Sequence, residues 1–109
     1  MDQIAIVVIA YNRPQSLLRL LDSLTNAYYP DGLDIPLIIS VDKSDSTDTE
    51  SVANDYVWEH GEKTVRLHET NLGLRKHVLS CGDISNEYDG VIMLEDDLYV
   101  SPSFYMYAL

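Results

Sequence analysis

The chain has 109 residues, which allows one compact domain and no more. With 46% apolar and 23% charged residues it has the composition of a soluble globular protein, which excludes a disordered segment, a collagen-like repeat or a disulfide scaffold. Seven Lys and Arg against eighteen Asp and Glu leave a net charge of −11, a field that repels phosphate backbones and anionic lipid heads. Nucleic acid and membrane surfaces are therefore poor partners, and any anionic ligand needs a cation or a focused set of donors to offset the charge.

The single cysteine, Cys81, permits no internal disulfide and fits a reducing compartment. The acidic start and the short apolar run Ile4 to Ala10 make neither a signal peptide nor a membrane span. They read as a cytosolic start, or as a cytosolic piece of something longer, with peripheral membrane attachment of the full-length protein left open.

Residues 4–10 are apolar on both alternating faces, the pattern of a strand buried from both sides. Asn12-Arg13-Pro14 breaks the run, Pro14 suits a first helical position, and Leu17, Leu18, Leu21 and Leu24 recur at helical spacing. The stretch 26–36, rich in Pro, Gly and Asp, is a loop, and residues 37–41 form a second buried strand ending at Asp42. Thr47 and Glu50 predict a capping box for a helix with Val52, Ala53, Tyr56 and Val57 on its apolar stripe and Gly61 as its terminator. Residues 64–68 alternate and predict a half-exposed edge strand. A third helix is spaced by Leu74, Val78, Cys81 and Ile84. A fourth strand, Val91 to Leu94, runs into Glu95-Asp96-Asp97, and Ser101 caps the start of another helix.

This alternation predicts an α/β fold, a Rossmann-like parallel sheet of about four strands with helices on both faces. Ligands of such sheets bind beyond the carboxyl ends of the strands, where strand order reverses. Tyr11, Asn12 and Arg13 follow the first strand, Asp42 the second, and Glu95, Asp96 and Asp97 the fourth.

Three consecutive carboxylates are costly, since each close pair at about 5 Å and an effective dielectric near 20 repels by roughly 3 kcal/mol. A hard divalent cation such as Mn²⁺ or Mg²⁺ relieves that repulsion and keeps positions open for phosphate oxygens; the competing reading is a solvated acidic loop. Arg13, at a strand-to-helix turn, suits a diphosphate or a nearby carboxylate, and Asp42 is either a site residue or a loop aspartate that starts a helix. A lone helical histidine such as His77 is more often packed or solvated than a ligand, and Cys81 on its apolar stripe reads as a small core residue. No Gly-x-Gly-x-x-Gly or P-loop follows the first strand, and that strand ends without the aspartate a phosphoacceptor needs.

Four motifs in order, Ala10-Tyr11-Asn12-Arg13-Pro14, Ser40-Val41-Asp42, Asn71-Leu72-Gly73 and Glu95-Asp96-Asp97, make the chain resemble the nucleotide-binding half of a GT-A-type glycosyltransferase, a nucleotide-diphospho-sugar transferase. Glu95-Asp96-Asp97 stands in the place of that family's DxD motif. The stretch from Val91 to Phe104 is most similar to the N-acetylglucosaminyltransferase I type, and Asn71-x-Gly73 is shared with family-2 glycosyltransferases.

The resemblance implies that Asp97 ligates Mn²⁺ (or Mg²⁺) bridging the nucleotide diphosphate, that Asp96 reaches the ribose and that Glu95 faces the donor sugar. It places Ala10, Tyr11 and Asn12 along the nucleotide, Arg13 on the diphosphate side, and Asp42 and His77 at the uracil edge. Asn12 stands where the nearest relatives of this type carry an acidic residue. The implied chemistry is transfer of a hexosyl or N-acetylhexosaminyl group from a UDP-sugar to a glycan or other hydroxyl acceptor. The general base comes, in that family, from the part of the domain after the DxD strand, so no residue of this chain is assigned to it. On this reading residues 1–109 are one nucleotide-sugar-binding domain, a truncated piece of a longer glycosyltransferase domain and inactive alone. The alternative is a stand-alone nucleotide-binding or interaction module without transferase activity.

Overall fold

A computed structural model describes residues 4–27, 29, 32, 34–43, 47–68, 88 and 90–95. Among them the elements follow in the order β1 (Ile4–Ala10), α1 (Pro14–Thr25), β2 (Leu37–Val41), α2 (Asp48–Asp55), β3 (Lys63–Leu67) and β4 (Gly90–Glu95). The strands form one parallel sheet in the order β3-β2-β1-β4. The α/β class and the parallel sheet agree with the expectation from sequence. The expected third helix and the helix start at Ser101 lie outside the described residues.

Register determines what each face carries. Val8 pairs with Ile39 and with Leu94, so these side chains share one face, which packs on the fully buried Leu17, Leu20, Leu21 and Leu24 of α1 and on Ala53 of α2. Each buried leucine contributes on the order of 1.5–3 kcal/mol by leaving water. The other face carries Ala5, Val7 and Ile38, with Tyr88 and Val91 against them. Burial on both faces explains why β1 is apolar throughout and β2 apolar but for Ser40, whereas every position of β3, at the edge of the described sheet, is half-buried or exposed.

Helix α1 begins with Pro14, whose missing N–H costs nothing in the first turn. It ends without a glycine. Asn26 and Ala27 close its last turn locally, and distant side chains add to them: Tyr56 Oη donates to Leu21 O at 2.8 Å, Tyr29 Oη to Leu24 O at 2.6 Å and His60 Nε2 to Thr25 O at 2.9 Å. Tyr29, Trp58 and His60 lie ring against ring, and Trp58 Nε1 donates to Ile35 O at 2.7 Å. This cluster joins the end of α1 to the segment between α2 and β3.

Four local expectations differ from the structure. Leu18 is 43% exposed, because the core-facing stripe of α1 runs through Leu20 instead. Val57 is 74% exposed, since α2 has already ended at Asp55 and Tyr56 is extended. Thr47 does precede α2, but its side chain makes no capping hydrogen bond, so no capping box forms. Gly61 does not terminate α2. A Cβ there would overlap Ile35 O and stand 2.7 Å from Asp34 Oδ1, so Gly61 is needed for the close approach of two chain segments. The end of α2 is closed by Lys63, whose Nζ donates to Ala53 O, Asn54 O and Tyr56 O at 2.8, 2.9 and 2.7 Å.

Candidate functional site

Strand order reverses at β1: β2 and β3 lie on one side of it and β4 on the other. In sheets wound this way the carboxyl ends of the strands beside the reversal open a crevice, the usual ligand position. Ala10 ends β1 fully buried, and the chain emerges at once, with Tyr11, Asn12 and Arg13 all exposed. Asn12 makes the turn with φ 48°, in the left-handed region that asparagine tolerates better than most residues. Arg13 is the N-cap of α1; its carbonyl accepts from Leu17 N at 2.9 Å, and its side chain makes no capping bond.

Asp42 is bound to this turn. Its N–H donates to Ala10 O at 2.9 Å, extending the β1–β2 ladder by one residue, and its Oδ1 accepts from Lys43 N at 2.9 Å. The residue is only 2% exposed, an unusual setting for a carboxylate. On the other side of β1, Glu95 pairs in register with Ile9 and is exposed at the end of β4. The structure thus gathers Ala10, Tyr11, Asn12, Arg13, Asp42 and Glu95 on three neighbouring strand ends. His77, Asp96 and Asp97 lie outside the described residues, as does the Asn71-Leu72-Gly73 motif.

Two further residues meet where β2 runs out toward Asp42. Ser40, fully buried within β2, is hydrogen-bonded through Oγ to His68 Nε2 at 3.0 Å, and His68 N donates to Val41 O at 3.1 Å. Sequence reasoning placed His68 in the edge strand and gave Ser40 no function of its own. The available signal was a hydroxyl inside an otherwise apolar strand, a group that must find a partner when buried.

Carboxylate oxygens are the donors that hard divalent cations take. Glu95 is the one member of the acidic run whose place is described, and among the described residues no three His, Cys, Asp or Glu side chains converge to hold a metal ion. No described helix is long and apolar enough to cross a membrane.

No curated protein sequence matches the chain at a significant level. The fold is shared with solved structures of TarS from S. aureus. The TarS 1–349 structure with UDP superposes with a TM-score of 0.72 at 19% identity, covering 97% of this chain and 30% of that one. The UDP-GlcNAc complex gives 0.69 at 19% identity with the same coverage, 97% and 30%. A further crystal structure of S. aureus TarS gives 0.71 at 19% identity, with 97% of this chain and 18% of that one covered. This chain therefore spans less than a third of the length of those proteins. The family described as Glycosyl transferase family 2 matches residues 5–107, nearly the whole sequence. With its parallel sheet and the strand ends gathered at the reversal of strand order, the chain belongs to glycosyl transferase family 2 and has the GT-A-type fold.

Proposed function

We propose that this chain is the donor-binding portion of a glycosyltransferase that takes a UDP-sugar and, within a longer protein, passes its hexosyl or N-acetylhexosaminyl group to a glycan or other hydroxyl acceptor. The observation that carries the reading is the buried Asp42, hydrogen-bonded through its backbone to the end of β1 beside the reversal of strand order. The UDP and UDP-GlcNAc complexes of TarS, which shares the fold, support a uridine nucleotide as the ligand. Similarity of Val91 to Phe104 to the N-acetylglucosaminyltransferase I type favours an N-acetylhexosamine among the possible sugars.

In this reading the Asp42 carboxylate accepts the N3–H of uracil, with His77 completing the base edge. Ala10, Tyr11 and Asn12 run along the nucleotide, and the Arg13 guanidinium offsets diphosphate charge at the start of α1, where backbone N–H groups also favour an anion. Asp96 takes the ribose, Glu95 faces the donor sugar and Asp97 holds Mn²⁺ or Mg²⁺. A bound divalent ion supplies positive charge to the departing diphosphate as a Lewis acid. The net charge of −11 makes such compensation necessary, because the protein's own field opposes a nucleotide diphosphate.

Thermal unfolding tests the reading directly. UDP raises Tm in the presence of Mn²⁺ and much less in EDTA, through the mass-action stabilisation given by a ligand that binds only the folded state. Equal stabilisation under both conditions removes the metal from the site, and no stabilisation in either removes the nucleotide.

A further inference from the structure

Ser40 is a fully buried hydroxyl at the sheet interior, and its partner belongs to another strand. Ser40 lies on β2 and Asp42 follows its last residue, continuing the ladder through Ala10 O, so the two, two residues apart, share a face of the sheet. Ser40 pairs in register with Arg66, so the same register continued by two residues sets His68 level with Asp42. His68 is joined to β2 twice, through its ring to Ser40 at 3.0 Å and through its backbone N–H to Val41 O at 3.1 Å. The imidazole is thereby tied to β2 on the face that carries Asp42, whose backbone N–H donates to Ala10 O and whose Oδ1 accepts from Lys43 N at 2.9 Å.

We propose that the Ser40–His68 pair is a positioning device that keeps the Asp42 carboxylate in the one setting where it distinguishes uracil from cytosine. This rests on the reading of Asp42 as the uracil contact. Uracil presents an N–H at position 3, which a fixed carboxylate accepts. Cytosine presents a lone pair at the same position, which the carboxylate repels, and an amino group next to it, which the carboxylate satisfies only by moving. Discrimination therefore depends on the carboxylate being unable to move, and the groups that confine it matter more for the choice of base than for the affinity of the right one. On this proposal the Ser40–His68 hydrogen bond keeps the imidazole level with Asp42 and so limits the carboxylate on the side that faces β3. His68 is in this sense a positioning residue, acting through Asp42.

The test is calorimetric titration of the 109-residue chain with UDP and with CDP in Mn²⁺, read as the ratio of the two dissociation constants. Wild type favours UDP. Ser40→Ala, which removes a single hydroxyl, lowers the ratio about tenfold, the equivalent of ~1.4 kcal/mol, and His68→Leu lowers it by a similar amount. The double variant loses no more than either single one, because the two side chains act as one unit. His68→Gln, which sets an amide near the place of Nε2, restores most of the preference. A merely structural brace gives a different result: Tm falls, UDP and CDP weaken together and the ratio stays fixed, which overturns the proposal. If His68→Leu does not fold, Ser40→Ala and His68→Gln decide the matter alone. A wild-type chain that binds UDP and CDP equally overturns the assignment of Asp42 to the base and the proposal with it, whereas a UDP-selective wild type with unaltered variants overturns the proposal only.

Discussion

The backbone N–H of Asp42 donates to the carbonyl of Ala10 at 2.9 Å, one residue beyond the last paired residues of the two strands. This bond sets the carboxylate of β2 against the turn that leaves β1, so the proposed base contact and the proposed phosphate side of the nucleotide are registered by the sheet itself. Replacement of Asp42 by Asn keeps shape and volume but exchanges one acceptor oxygen for a donor. Asp42→Asn is expected to reduce the preference for UDP over CDP by about tenfold or more, since a mismatched polar group in a recognition site is costly. Competitive titration with the two nucleotides measures it, and equal weakening of both would separate Asp42 from base recognition.

Asn12 adopts φ 48° at the exposed turn between β1 and α1. Asn12→Gly leaves stability nearly unchanged, because glycine reaches this conformation without a Cβ clash. Asn12→Val destabilises by roughly 1–2 kcal/mol, the cost of a left-handed residue, with the β-branch adding to it. Urea unfolding curves with a shifted midpoint and a constant slope check both variants.

Lys63 closes α2 by donating to three carbonyls at once, and a cation there also meets the negative end of the helix dipole. Lys63→Met preserves most of the aliphatic stem and removes every donor. A loss of about 1–3 kcal/mol is expected, with the amides of residues 52–56 exchanging faster than those of α1. A neutral variant would mean that water replaces the ammonium at no cost.

Burial pushes the Tyr56 hydroxyl above its ordinary value of 10.0; the hydrogen bond with Thr25 opposes the shift, and the charges of Asp22 and Glu59 add to it. A tyrosine that holds its proton more tightly when folded binds more protons in the native state, so stability is fully present below pH 10 and falls as pH rises through the higher folded value. The expected outcome is a fall in Tm beginning near pH 10.0. Tyr56→Phe lowers Tm at neutral pH, because it removes the hydrogen bond to Leu21 O, and flattens the alkaline slope. An unaltered slope in the variant would assign the alkaline loss to other groups.

Much of the architecture was legible in the order of the residues. The continuous apolar runs of β1 and β2 could only belong to strands covered on both faces, the alternation of β3 marked an edge, and Pro14 marked the start of α1. These are local signals, carried by side-chain periodicity and backbone restriction. The candidate site was legible too, because residues at the ends of buried strands of a parallel sheet must gather at one edge, and Tyr11, Asn12, Arg13, Asp42 and Glu95 all stand at such ends. Periodicity misled at Leu18 and Val57, where a leucine or valine at plausible helical spacing stands outside the stripe that meets the sheet.

What tertiary structure alone decided is which groups meet across long separations in the chain. That Gly61 admits Ile35 O rather than ending α2, that Lys63 and not a glycine closes that helix, and that Tyr56, Tyr29 and His60 finish α1 are outcomes of hydrogen-bond accounting between distant segments. No periodicity in one segment records the partner that another will offer. The same holds for Ser40 and His68, 28 residues apart: the sequence shows a hydroxyl in an apolar run and an imidazole, but only the parallel register of β2 with β3 brings them within a hydrogen bond of each other.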